Sequence, residues 1–123
     1  MSYSISFRVK VEGTNEYVEP SFVIREGIHP NITWNVRELI EQSSGWDIQN
    51  EGPNGTIKEW AEKIKEGKKN LAENPEKYRK YESPNGWGTV EGTLHFYKDC
   101  LSMIADFIMD YENLVDVAIV WVN

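Results

Sequence analysis

The sequence predicts an α+β domain: a small, mainly antiparallel sheet, made of an N-terminal hairpin and a C-terminal strand, packed in two layers against three helices. Three observations carry this prediction. "YSISFRVKV" alternates apolar and polar residues with the period of a half-buried strand. Two long segments, Thr56 to Pro75 and Val90 to Tyr111, repeat apolar residues at helical spacing. "LVDVAIVWV" closes the chain as a nearly continuous apolar run, which reads as a central strand buried on both faces. Strands at both ends with helices between them place the sheet in one layer and the helices in the other.

Each element follows from its own residues. Tyr3, Ile5, Phe7, Val9 and Val11 share one face of the first strand; Ser4, Ser6, Arg8 and Lys10 share the other. "EGTNE" is a turn, and "YVEPSFVI" is its hairpin partner, demoted to an edge by Pro20, which has no ladder donor. In "HPNITWNVRELIEQSSG", Ile32, Val36, Leu39 and Ile40 form a helical stripe with Asn31 or Thr33 as N-cap and Gly45 as stop. "GWDIQNEGPNG" reads as loop. The second helix opens on Thr56 with Glu59 at capping-box spacing and buries Ile57, Trp60, Ala61, Ile64 and Leu71. Gly67 is a weak point inside it, costing about 1 kcal/mol relative to alanine. "EKYRKYESPNGWG" reads as irregular. The third helix carries two adjacent stripes: Leu94, Tyr97, Leu101, Ile104, Ala105 and Ile108, then Phe96, Cys100, Met103 and Phe107. So wide an apolar surface predicts cover on more than one side.

Composition narrows the function classes. The 123 residues make one domain, 1–123, long enough for its own core. A net charge of −7 argues against nucleic-acid and anionic-membrane binding. The basic side chains are unevenly spread: residues 58 to 80 hold eight of the thirteen. One cysteine, Cys100, allows no internal disulfide, and its mid-helix apolar setting reads as core filler. The start lacks an apolar signal core and no run reaches membrane-spanning length, so the expected compartment is the cytoplasm. His29 and His95 lack further ligands at metal spacing, so neither a metal nor a cofactor is expected. No nucleophile–base pairing, P-loop or dinucleotide fingerprint is present, so an enzyme, such as a hydrolase using Asp47 or His29, is the weakest reading.

The residues left over are polar and aromatic. "NITWN" gathers Asn31, Thr33, Trp34 and Asn35 at a helix start; "GWD" places Trp46 and Asp47 in the next loop; "PNGWG" places Asn85 and Trp87 ahead of the last helix. Asparagine both donates and accepts hydrogen bonds, and tryptophan supplies a stacking face. Converged, these loops would make a recognition pocket with aromatic walls and a few polar pins. The competing reading is structural: caps, Asn-Gly turns, and tryptophans that plug the core.

The same residues carry a resemblance. "NIT-x-N", a "GW" loop, a helix, "P-x-x-Y", "P-NGWG", a helix with a late cysteine and a closing strand are together similar to a family of small uncharacterised bacterial and phage proteins. The likeness spans about residues 30 to 123 and implies the fold but no activity. It points to a non-enzymatic, phage-encoded binding protein that sequesters a nucleotide-derived defence signal. The alternative is an inhibitor or immunity-type module that docks on a protein partner. The terminal strand also suits pairing across a homo-oligomer.

Overall fold

The protein is described by a computed structural model over residues 1–25, 29–49 and 52–123. It is an α+β fold. Its strands are β1 (Ser2–Lys10), β2 (Tyr17–Val18), β3 (Asn31–Thr33), β4 (Gly52–Thr56) and β5 (Ile119–Val122). Its helices are α1 (Arg37–Ser44), α2 (Ile57–Glu73), the short α3 (Pro75–Tyr78) and α4 (Val90–Tyr111). The sheet runs β2-β1-β5-β4, with β3 also paired to β1, and these pairings are antiparallel. The two ends of the chain meet as expected: Ile5 lies opposite Val122 and Phe7 opposite Val120.

Alternation in β1 does what it predicts. Tyr3, Ile5 and Phe7 are buried, and the Phe7 ring meets Trp60 of α2 at 5.8 Å and Phe107 of α4 at 5.3 Å, both edge-on. The helix signals hold in α2 and α4. Thr56 accepts the Glu59 N–H and opens α2, while Thr89 accepts the Gly92 N–H and opens α4. Cys100 is fully buried, which pushes its thiol well above its usual range and leaves it a packing residue.

Five expectations are corrected. Asn31 and Ile32 belong to strand β3, not to a helix; Thr33 then caps a 3-10 turn, Trp34–Val36, and α1 starts only at Arg37. The free edge of β1 at Ser2–Ser4 takes this segment, and tertiary pairing overrides the local helical pattern. Part of the supposed loop before Thr56 is β4, whose composition, "GPNGT", carries no strand propensity. Gly52 and Gly55 sit at φ 84° and 85°, and the strand bulges between Pro53 and Thr56. Residues 50 and 51 of that loop lie outside the described residues. The segment after Pro75 contains α3 and a 3-10 turn, Arg79–Tyr81. In α4 the stripe of Phe96, Cys100, Met103 and Phe107 is buried, but Leu94, Leu101 and Ile108 are only partly covered and Ala105 is exposed. Strand β5 is central, yet Ile119 and Trp121 are half-buried; the Arg8 guanidinium lies 4.0 Å over the Trp121 ring and Tyr17 stands 5.5 Å from it.

Residues 21–25 strap across α4. The Val23 N–H donates to Asp110, the Arg25 N–H and guanidinium donate to Asp106, and the Tyr111 hydroxyl donates to the Ser21 carbonyl. Phe22 packs against both Phe7 and Phe107. The Arg25 backbone N–H, and then its guanidinium, hold the Asp106 carboxyl below its usual value.

Gly67 is not a weak point. A Cβ there would stand 2.7 Å from Tyr97 Cε2 and 2.8 Å from Ser44 Cβ, so glycine is what lets α2 close on α1 and α4. Two predictions follow from these contacts. Gly67→Ala, which helix propensity alone would make stabilising by about 1 kcal/mol, is expected to destabilise by about 1–3 kcal/mol through overpacking; urea unfolding reads the sign. The depressed Asp106 acid stabilises the strap above the usual carboxylate range, and that contribution is lost as pH falls through the lowered value. Protection of the Arg25 amide against hydrogen exchange should therefore fall at acid pH, and Asp106→Asn should abolish that dependence.

Candidate functional site

Five of the candidate recognition residues sit on two short segments that press together. The first is the β3–α1 junction, where Thr33 ends the strand and Asn35 sits in the 3-10 turn. The Asn35 amide donates to Thr33 Oγ1 at 2.9 Å, which fixes its rotamer. The second is "SPNGWG". Ser83, Pro84, Asn85 and Gly86 have the composition of a type I turn, closed by the Gly86 N–H on the Ser83 carbonyl at 3.2 Å. Gly86 takes φ 80°, open to glycine at little cost. Gly88 does the remaining work: a Cβ on it would lie 2.9 Å from the Asn35 carbonyl oxygen. Its absence lets the loop lie directly on the β3–α1 junction.

That contact settles why a tryptophan stands between two glycines. Trp87 does not plug the core, since it is 70% exposed. Its backbone N–H donates to Asn85 Oδ1 at 2.9 Å, and the flanking glycines shape the main chain so that the ring projects outward. Asn85 also donates to Asn35 Oδ1 at 3.2 Å, and Ser83 donates to Asn85 Oδ1 at 2.9 Å. The two asparagines are thus locked in one network. Trp34, 43% exposed, leans on Tyr3 with ring centres 5.9 Å apart.

Two shallow clefts flank Asn35. One, of about 480 Å³, is lined by Ser2, Thr33, Asn35 and Trp87. The other, of about 370 Å³, is lined by Trp34, Asn35, Arg37, Lys80, Tyr81 and Ser83, among others. The loop is anchored behind them by Arg79, whose guanidinium binds Glu76, Glu82 and Glu91, the last at 2.6 and 2.8 Å. Arg79 holds the Glu91 acid down at about 2, and Glu91 raises the Arg79 pKa in turn. Glu82 also accepts the Val90 N–H and so caps α4. Among the described residues, the cationic side chains lining these clefts are Arg37, whose guanidinium donates to Gln49, and Lys80, over the Tyr81 ring.

The donor and acceptor inventory gives the site a polarity. Asn85 Oδ1 accepts from Ser83 and Trp87, and Asn35 Oδ1 accepts from Asn85, since the single Ser83 hydroxyl hydrogen goes to the nearer Asn85. The groups left over are one amide N–H on each asparagine. Each asparagine thus keeps a donor, and the carboxylates of Glu38 and Glu82 line the second cleft beside Arg37 and Lys80.

The sequence-predicted residues divide accordingly. Thr33, Trp34, Asn35, Asn85 and Trp87 come together. Asn31 is exposed on β3 but lines neither cleft. Trp46 is a core residue: it is 1% exposed, packs on Trp60 and Phe96, and donates its indole N–H to Asn54. It is the plug. Asp47 caps its own loop through Gln49, and its carbonyl accepts from Asn54. Ser83 and Arg37 were not singled out, and Lys80 stood out only as the end of the basic segment 58 to 80; the S-P-N-G turn composition was a usable signal for Ser83. Among the described residues no group of three or more His, Cys, Asp or Glu is placed to hold a metal ion, and no helix is long and apolar enough to cross a membrane.

Compared with family models, curated proteins and solved structures, the chain finds no match.

Removing Asn85 tests the network. Asn85→Ala deletes the acceptor that holds Trp87 and the donor to Asn35, so Trp87 should gain mobility while the core stays folded. With 5-fluorotryptophan, the Trp87 fluorine resonance should narrow and move toward the free-indole position, and the Trp46 and Trp60 resonances should not shift.

Proposed function

We propose that the protein is a non-enzymatic binding protein whose recognition face is built by Thr33, Trp34, Asn35, Asn85 and Trp87. The observation that carries this reading is Trp87, exposed yet held at its backbone beside spare asparagine donors. A tryptophan left in water costs hydrophobic stabilisation unless something covers it. The ligand class we favour is a nucleotide-derived signal: the base stacks on Trp87, its acceptors meet the asparagine N–H groups, and its phosphate meets Arg37 or Lys80. Sequestering such a signal would need only binding, which suits a face with no positioned nucleophile or base.

A second reading is favoured by the shallowness of both clefts. Small-molecule pockets commonly bury most of their ligand, whereas exposed tryptophans on an open face also serve as anchors for a protein partner.

Titration calorimetry against a panel of mono-, di- and cyclic dinucleotides separates the two. Binding is expected for at least one member and should weaken about tenfold or more in Trp87→Ala, since stacking on an aromatic is worth about 1–3 kcal/mol per base. The bound nucleotide should also resist a phosphodiesterase. A panel that gives no heat, with a purified partner protein lost on Trp34→Ala and Trp87→Ala, would replace the nucleotide reading with the second.

A further inference from the structure

A second surface, remote in character from the asparagine clefts, is apolar. Between α2 and α4 runs a groove of about 460 Å³ lined by Ile57, Ala61, Leu101, Ala105, Ile108 and Val115. It continues into a smaller depression of about 260 Å³ that shares Leu101 and Lys65 with it and ends at Ala72. The part of α2 from Ile57 to Ala72 measures about 22 Å, at roughly 1.5 Å of rise per residue. The α4 side of the groove is drawn from the stripe that periodicity expects to be covered.

The rim of this trough carries the opposite sign from the protein. The chain has a net charge of −7, yet Lys58, Lys65, Lys68 and Lys69 line the trough beside a single carboxylate, Glu62, among the described residues. Lys58 meets Asp116 at 3.5 Å and Lys65 meets Glu62 at 3.6 Å, in exposed pairs of little strength. Lys68 and Lys69 make no ion pair among the described residues.

We propose that the trough receives an acidic amphipathic helix of a partner protein. Four turns of helix match its length, and apolar residues at i, i+3, i+4 and i+7 match a floor made by two helices. Ala61 and Ala105 leave room for close approach, so the guest can pack at ordinary interhelical distance. Acidic flanks would meet the lysine rim, which supplies steering and orientation. Charge also argues against a second copy of this chain, because a two-fold contact of trough on trough brings the same lysines together. An acyl chain laid in so shallow a groove would keep one side in water, whereas a helix brings its own polar back.

The test uses the full chain and two fluorescein-labelled designed helices of about 18 residues, of which about 15 span the trough and the rest form the charged flanks. Both carry leucine at i, i+3, i+4 and i+7; one is flanked by glutamates and the other by lysines. Fluorescence anisotropy should show the acidic helix binding at least tenfold more tightly, with affinity falling as salt rises. The combined variant Lys65→Glu, Lys68→Glu and Lys69→Glu should reverse the preference. Ala105→Glu, at an exposed position, should abolish binding of the acidic helix with an unchanged unfolding midpoint. Trp87→Ala should leave it intact, so failure here is distinct from failure of the asparagine site. Equal affinity for the two helices, or none, overturns the proposal. So does a dimer that Ala105→Glu dissolves, or displacement of the bound helix by laurate at submicellar concentration.

Discussion

The structure turns on one missing methyl group. At Gly67 the α2 helix passes beneath the Tyr97 ring of α4 and beside Ser44 at the end of α1, at separations no side chain would allow. Polar groups then lock what the close approach brings together. Ser43 and Tyr97 share a hydrogen bond of 2.7 Å, and Asn70 of α2 donates to the Ser43 carbonyl. Burial pushes the Tyr97 phenol up to about 12, so it stays protonated and bonded across the ordinary pH range. Three helices are thereby tied at one point that the hydrophobic effect alone, being non-directional, would leave free to slide.

From that point the rest of the architecture is distributed. On the sheet side an unbroken run of rings, Phe96, Trp46, Trp60, Phe7 and Phe107, crosses the core from α4 to β1 and back. Trp46 belongs to this run because Gly45, at φ 73°, turns the chain inward after α1, and Asn54 of β4 accepts its indole N–H. On the other side of the knot, the start of α4 is held by Glu82 and by the Arg79 cluster, and this fixes where the "SPNGWG" turn can lie. The asparagine network is therefore not a flexible loop feature; it is a rim set by the same helix whose middle is fastened at Gly67.

The parts of this fold that were legible in the sequence are those where one residue's neighbours in space are also its neighbours in the chain. Strand β1, the Thr56 cap and the extent of α4 are decided by local periodicity and local hydrogen bonds. Strand β4 was illegible because its backbone is recruited by β5 and its residues have no strand preference of their own. Strand β3 was misread because Ile32 fits a helical stripe as well as a strand; the free edge of β1 decides between them, and that edge is invisible in the segment itself. Gly67 was misread for a related reason: propensity describes an isolated helix, whereas the contact with Tyr97 spans thirty residues of chain. In the candidate site, residue types were a fair guide to Asn35, Asn85 and Trp87, which cap and turn as well as face outward. They were no guide to Trp46, because a loop tryptophan followed by aspartate looks the same whether its ring is turned in or out.

Charge and apolar surface divide the molecule's exterior into two faces of different chemistry. Near Asn35 the walls are isolated tryptophans, the pins are neutral donors, and the strongest cation, Arg79, is fully engaged by three glutamates. Along α2 the apolar surface is continuous and its cations remain largely unspent. The nucleotide proposed for the first face and the acidic helix proposed for the second call on these different chemistries, and neither would be well served on the other face. The Gly67 knot lies between them: it holds α2 against α4 tightly enough to form a firm trough floor, and it holds α4 in the register that presents Trp87.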